Sequence, residues 1–311
     1  MAELAKERVR LARRDRLEAE HLIRAAKARY TCETRELLET GTNPDAIDVD
    51  GKPLLYLMVQ KGFQRIVGYL IEAGADVELT DLEWSATPLM CAAIKNNGEA
   101  AQLLVVSKAK LDTVSKTGKT ALILAAQEGH VAMTQLLVES GADLNVQSAA
   151  GDSALHFAAG KGYLKCTRVL LKAGAALDLE DKDGDTPAKC ALLTKHFAIL
   201  ELLLRHGASA RRALALPDWI TNADWTDDEW ATVNKIAEII SETPAVVHLL
   251  ADHGGICDKD KALLQFLLSL DGCHTAVRAL RDIGCDAWCS GSAGLVTLHK
   301  KFRIDGTKLL G

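Results

Sequence analysis

No apolar run in this 311-residue chain approaches the roughly 18 residues needed to cross a bilayer, which excludes a membrane-spanning helix. Arg and Glu interrupt residues 1–20 throughout, so there is no apolar core of a secretory signal, nor the Ser-rich, acid-poor character of a transit peptide. The expectation is a cytoplasmic protein, with the nucleus or an organelle reached by association as the other compartments. A net charge of −5 and a pI near 6.0 provide no basic field for nucleic acid. Gly-x-Gly-x-x-Gly, Walker A, nucleophile-elbow and His-Glu-x-x-His motifs are all missing. No catalytic residue and no cofactor are therefore expected.

Cysteine is present eight times, but never as Cys-x-x-Cys. In a long chain without a secretory signal, reduced thiols are the default. Cys91 and Cys190 each precede an Ala at equivalent places and read as small buried apolar residues. Cys257, Cys273, His274, Cys285 and Cys289, with His253 nearby, are the one grouping that could hold zinc. Without a knuckle motif no metal site is expected there. Asp181, Asp183 and Asp185 superficially resemble a calcium loop but lack its Glu and its spacing.

What is present is repetition. Thr120 to His130 reads Thr-Ala-Leu-Ile-Leu-Ala-Ala-Gln-Glu-Gly-His, and Ser153 to Tyr163 reads Ser-Ala-Leu-His-Phe-Ala-Ala-Gly-Lys-Gly-Tyr. Gly129 and Gly162, and likewise Gly141 and Gly174, are 33 residues apart. Pro53-Leu54-Leu55, Thr87-Pro88-Leu89 and Thr186-Pro187-Ala188 open three further copies, and Gly74 and Gly207 close two of them. Leu55 and Leu89 are 34 apart, which places one extra residue in the loop 80–86. Thr before Pro caps a helix, and Pro at the first turn loses no hydrogen bond. Gly at the end of the second helix supplies a left-handed cap, which Asn96 tolerates and Lys108 tolerates less readily. Asp181 to Asp185 reads as a turn.

A period near 33 with these motifs resembles the ankyrin-repeat family. The resemblance is strong over about 46–210 and weak elsewhere. It implies an all-α solenoid of helix-turn-helix-hairpin repeats with an N-terminal helix and degenerate helical repeats at the C-terminus. The segments expected are a basic helix over 1–16, a degenerate capping repeat over 17–50 and five repeats over 51–216. An atypical helix pair over 217–257 follows, around Trp219, Trp225 and Trp230. A degenerate repeat with a capping half closes the chain over 258–311. Residues 1–29 carry nine basic and five acidic side chains. Their signs are interspersed, which favours a solvated lead-in helix over a basic docking arm. His130, His156 and His206 read as local hydrogen-bonding residues. Leu200–Leu204 and Leu264–Leu268 read as core.

The resemblance also implies the function: a non-catalytic scaffold that binds another protein through its concave face and hairpin tips, compatible with membership of a larger assembly. Contacts in such repeats come from hairpin residues and first-helix ends. Here the hairpin set is Val49, Asp50, Lys52; Glu83, Trp84, Ala86; Lys116, Thr117, Lys119; Ala149, Ala150, Asp152; and Lys182, Asp183, Asp185. The helix-end set is Gln60, Lys61, Ile94, Lys95, Gln127, Glu128, Lys161, Leu193 and Thr194. Trp84 stands out at the enlarged hairpin: it is either a binding anchor or folded over its neighbour. Lys116 and Lys119 suggest a basic middle, and Asp181, Asp183 and Asp185 an acidic end. Some ankyrin Asn residues are hydroxylated, which would single out Asn145; a hairpin-stabilising role is the simpler reading. Two alternatives remain: a ubiquitin-ligase adaptor using Leu295 to Phe302, and a zinc-binding C-terminal module.

Overall fold

The computed structural model describes residues 2–209, with side chains from residue 14 onward. The segments 217–257 and 258–311, the cysteine grouping, Leu264–Leu268 and the Leu295–Phe302 segment all lie outside the described residues. Twelve helices make up the described part: α1 (Ala2–Lys27), α2 (Thr31–Glu39), α3 (Leu54–Lys61), α4 (Gln64–Glu72), α5 (Pro88–Lys95), α6 (Gly98–Val106), α7 (Ala121–Gln127), α8 (Val131–Glu139), α9 (Ala154–Gly160), α10 (Leu164–Lys172), α11 (Pro187–Leu193) and α12 (Phe197–Arg205). Among the described residues the one strand-like pairing is the isolated bridge between Ile47 and Pro53. The chain divides into two compact units, residues 1–176 and 177–311.

Short polar caps start the helices, as the motifs require. The Oγ1 atoms of Thr87, Thr120 and Thr186 accept the N–H groups of Met90, Ile123 and Lys189, each at 3.3 Å. Pro88 and Pro187 follow directly, where a missing N–H leaves nothing unpaired. At Ser153 the imidazole of His156 substitutes for the carboxylate of a capping box. Its Nδ1 accepts the Ser153 N–H at 3.1 Å and lies 2.9 Å from the hydroxyl.

In the first unit these helices form two layers. First helices α3, α5, α7 and α9 pack in succession, as do second helices α2, α4, α6, α8 and α10. Ala92, Ala93, Ala125, Ala126, Ala158 and Ala159 are fully buried and let first helices approach closely. Leu70, Leu104, Leu137 and Leu170 fill the equivalent second-helix sites. No single helix pair could bury this surface alone; stacking buries it. The second unit contains α11 packed on α12 around Leu192, Ile199, Leu200 and Leu203.

Backbone conformation repeats as strictly as the core. Residues with φ in the left-handed region fall in three registers: 29, 62, 96, 129, 162 and 195; 41, 74, 108, 141, 174 and 207; and 51, 85, 118, 151 and 184. Twelve of these are Gly, and the other five are Arg29, Ser85, Asn96, Lys108 and Lys195. Asn96 and Lys108 adopt the conformation their positions demand. Gly118 is required twice over, because a β-carbon there would come within 2.5 Å of the Ala149 backbone nitrogen.

A second periodic device joins neighbouring repeats in the first unit. Asp45 accepts the N–H of Asp76, Glu78 that of Lys110, Asp112 that of Asp143, and Asn145 that of Ala176, at 2.7–2.9 Å. Asn145 is thus the amide member of a largely acidic inter-repeat series. Within the second unit, Asp178 holds Ser209 in the same way.

Helix α1 runs unbroken through residues 16 and 17 and supplies the first layer of the N-terminal end. Leu22, Ala25 and Ala26 are buried while Arg14, Asp15 and Arg16 face solvent, so the charges occupy the open side. Arg29 stacks over Phe63 and Arg35 over Tyr69, at 5.3 and 5.6 Å from the ring centroids. Each such contact is worth about 0.5–1 kcal/mol. Lys27 reaches forward to Asp48 at 3.1 Å.

Asp48 makes that contact sensitive to pH. Burial pushes its carboxyl up, but hydrogen bonds from Lys52 N–H, Lys27 and Asp50 N–H outweigh burial and hold it below the ordinary carboxylate value. A depressed pKa contributes stability above the ordinary value and loses it as pH falls through the folded one. Lys27→Met is expected to lower stability by about 1 kcal/mol at neutral pH. The difference from the parent should vanish in thermal melts as the pH drops below the usual carboxylate range. Gly118→Ala should lower the melting temperature more than Gly141→Ala. Both have positive φ, but nothing lies within 4 Å of a β-carbon at Gly141.

Candidate functional site

The hairpins are closed by a side-chain oxygen at their first residue. Asp48 accepts the N–H groups of Asp50 and Lys52 at 3.0 and 2.9 Å. Ser115 accepts that of Lys119 at 3.3 Å, and Ser148 that of Ala150 at 3.2 Å. In the second unit, Asp181 accepts those of Asp183 and Asp185 at 2.9 and 2.8 Å. Asp181 is therefore a turn anchor, which accounts for its resemblance to a metal loop. Among the described residues no group of three or more His, Cys, Asp or Glu is placed to hold a metal ion.

The hairpin of Asp81 differs by one residue. Asp48 pairs through its N–H with the carbonyl of Lys52 four residues on, whereas Asp81 pairs with Ala86, five residues on. Asp48 and Asp81 are 33 apart, but Gly51 and Ser85 are 34 apart. The extra residue therefore lies within Leu82-Glu83-Trp84. Asp81 is 1% exposed and its carboxylate accepts the N–H of Trp84 at 3.2 Å and of Ala86 at 2.7 Å. A buried carboxylate thus holds both sides of the enlarged tip. Charge-assisted bonds of this kind are about twice as strong as neutral ones.

Successive tips bond to one another through the backbone. Leu82 N–H donates to Gly51 carbonyl at 3.3 Å, Lys116 N–H to Trp84 carbonyl at 3.0 Å, and Ala149 N–H to Thr117 carbonyl at 2.9 Å. Leu82 lies over Gly51, where a β-carbon would come within 2.6 Å of its Cδ1. Trp84 is pinned by its own N–H and carbonyl, yet 55% of its surface is exposed. Leu82 is 70% and Val49 99% exposed. Sequence reasoning picked out Trp84 and Val49 and passed over Leu82. The adjacent Gly51 gave no separate signal, because its left-handed φ of 74° favours glycine whether or not Leu82 lies over it.

The lysines divide into two groups. Lys116 donates to the carbonyls of Leu82 and Glu83, both at 2.7 Å, clamping the enlarged hairpin to the next one. Lys119 donates to Gln127 and sits 4.6 Å from the Phe157 ring centroid. The ammonium groups of these two residues of the sequence-predicted basic middle are thus engaged by groups of their own and neighbouring repeats. Lys52, Lys61, Lys95 and Lys161 make no side-chain hydrogen bond or ion pair among the described residues. Of the acids, Asp50, Glu83 and Glu128 are exposed, and Asp152 accepts from Ser148 at 3.4 Å. Lys182, Asp183 and Asp185 belong to the second unit, where Asp185 pairs with Lys189 at 2.5 Å.

Behind the first two tips lie Tyr56 and Cys91, 7% and 2% exposed. Burial pushes the Cys91 thiol up to about 12, while Tyr56 and the nearby charges of Lys95 and Lys52 pull the other way. Burial likewise raises the Tyr56 phenol, helped by Cys91, Asp81 and Glu83. The charges of Lys52 and Lys95 thus act against burial at Cys91, and those of Asp81 and Glu83 with it at Tyr56. Burial also raises Cys166. These thiols are poor nucleophiles at neutral pH, as packing residues should be.

A helix pair followed by a hairpin, repeated in a 33-residue register with rigid tips in solvent, defines a helical-repeat domain of the kind that mediates protein–protein interaction. A family profile described as "Ankyrin repeats (3 copies)" matches residues 78–148 and 143–213. The crystal structure of an ankyrin repeat domain from Acinetobacter baumannii AYE is 33% identical. It superposes with a TM-score of 0.58 over 60% of this chain and 98% of that one. The chain belongs to the ankyrin-repeat family. Curated relatives include glycerophosphocholine phosphodiesterase gde1 of Schizosaccharomyces pombe, 32% identical over 30% of this chain. Protein phosphatase 1 regulatory subunit 12A of Mus musculus is 34% identical over 29% of this chain. This chain spans only 8% and 9% of those proteins' lengths.

Iodoacetamide at neutral pH should label Cys32, which is exposed, well before Cys91 or Cys166. Peptide mass mapping over a time course checks this order, and early labelling of Cys91 would contradict the packing described.

Proposed function

We propose that the chain is a non-catalytic scaffold that holds a protein partner on its hairpin tips and the adjoining ends of its first helices. The observation that carries this reading is Trp84. A large aromatic side chain left 55% exposed on a backbone fixed by Asp81 and Lys116 has already lost much of the freedom that binding would remove. Rigid aromatic anchors are where interfaces concentrate affinity, at about 2 kcal/mol or more each. The Mus musculus relative is by name a regulatory subunit of a phosphatase, a role consistent with partner binding. No helix among the described residues is long and apolar enough to cross a membrane, and none is needed for this role.

Lys95 is a better second probe than Lys119, because Lys119→Glu would also disturb Gln127 and Phe157. The tagged full chain and its Trp84→Ala/Lys95→Glu variant should be compared by affinity purification with quantitative mass spectrometry. The variant is expected to lose partners that the parent retains, with a melting temperature within about 3 °C of the parent, since both side chains are exposed. Recovery of nothing above control by the parent, or identical recovery by both, would refute the reading.

A further inference from the structure

We propose that α6 is a hinged flap in the second-helix layer of the first unit, one that opens locally while the repeats on either side stay folded. This property holds whatever the hairpin tips bind. Backbone strain is concentrated in one repeat. The left-handed positions are all Gly in the repeat before it (Gly51, Gly62, Gly74) and in the two after it (Gly118, Gly129, Gly141; Gly151, Gly162, Gly174). In the repeat with the enlarged hairpin they are Ser85, Asn96 and Lys108. Two of these are compensated. Ser85 sits inside the turn that Asp81 closes, and its own N–H donates to the Asp81 carbonyl at 3.2 Å. Asn is among the residues that best tolerate the region. Lys108, with φ of 64°, has neither advantage, and it is the residue that ends α6.

Strained residues persist where their surroundings over-determine them. Around α6 the surroundings are thin. Ala100 and Ala101 take the buried places that Ile66 and Val67 fill in α4, Met133 and Thr134 in α8, and Cys166 and Thr167 in α10. The hydroxyls of Thr34, Thr134 and Thr167 donate back to the carbonyls of Tyr30, His130 and Tyr163, at 2.7, 2.9 and 3.1 Å, which ties down the first turn of each helix. Ala101 stands in the same register and has no hydroxyl to do so. At the other end of α6, Val106 is 75% exposed. The chain on both sides is fixed. Asn97 accepts the N–H of Ala100 and donates to the Val59 carbonyl, both at 3.2 Å. Lys110 N–H and the Thr113 hydroxyl donate to Glu78, at 2.7 and 3.0 Å. Opening therefore releases residues 98–109 between two tethers. First helices α3, α5, α7 and α9 remain in succession, whereas α6 stands between α4 and α8. Only the second-helix layer is interrupted, which gives the array a point at which its curvature can change.

Hydrogen exchange of the full chain, followed by mass spectrometry and corrected for intrinsic rates, tests this. Amides of residues 101–109 should exchange at least about fivefold faster than those of 134–142 and 167–175. Lys108→Gly should slow exchange in α6 by a similar factor and leave α8 and α10 unchanged. Gly141→Lys should transfer the fast exchange to α8, since nothing lies within 4 Å of a β-carbon there and only the backbone conformation is penalised. A lysine that helped its helix through its charge would reverse the sign of both effects. Equal protection of the three helices, an unchanged α6 in Lys108→Gly, or either reversed sign would overturn the proposal. So would equal slowing of all three helices in Lys108→Gly, which marks unfolding of the whole array rather than of α6.

Discussion

A hydrogen-bond acceptor at the base of each hairpin is what the rest of the first unit depends on. Asp48, Asp81, Ser115 and Ser148 each turn the chain back within a few residues by capturing N–H groups that the turn would otherwise leave unpaired. With the turn closed, each tip presents one N–H or carbonyl to its neighbour, and the tips join in series. That series sets the spacing of the first helices beneath it. Their paired alanines can then meet without a gap, and the leucines of the second helices fill the outer layer. A hairpin that failed to close at its base would propagate as a misfit through the core, because close-packed interiors have few voids to absorb it.

Much of this was legible along the chain. Thr-Pro starts, Gly ends and the 33-residue interval follow from local backbone chemistry, so they appear in the residues themselves. Even the position of the inserted residue was bounded before the hydrogen bonds narrowed it to Leu82, Glu83 or Trp84. The hairpin anchors were less visible, because Asp and Ser serve equally well and neither stands out in a polar turn. Arg29 and Lys195 were also missed as left-handed residues, since neither side chain favours that conformation. Their neighbours impose it.

Among the candidate interaction residues, exposure was readable where a side chain ends in solvent and unreadable where it turns inward. Trp84 and Lys95 stand on the surface as their positions suggest. Lys116 and Lys119 do not offer free charge, because their long side chains reach backbone carbonyls and an aromatic face supplied by neighbouring repeats and, for Lys119, the Gln127 amide of its own repeat. Residue type alone gives the same reading for both pairs. What separates them is whether an acceptor happens to lie within reach, which only the stacking of repeats determines. Leu82 is the converse case: a residue suited to a core that stands exposed in the position after the hairpin anchor, as Val49 does one repeat earlier.

The extra residue in the second hairpin carries a consequence for how such a chain can diversify. The registers before Asp81 and after Ser85 each keep their 33-residue interval, so the lengthening is absorbed entirely in the tip. The helices below experience no shift. A tip can therefore grow and acquire new contact chemistry while the packed layers stay unchanged. Mutational innovation at the surface is uncoupled from foldability, and the array can explore new partners at little risk to its own stability.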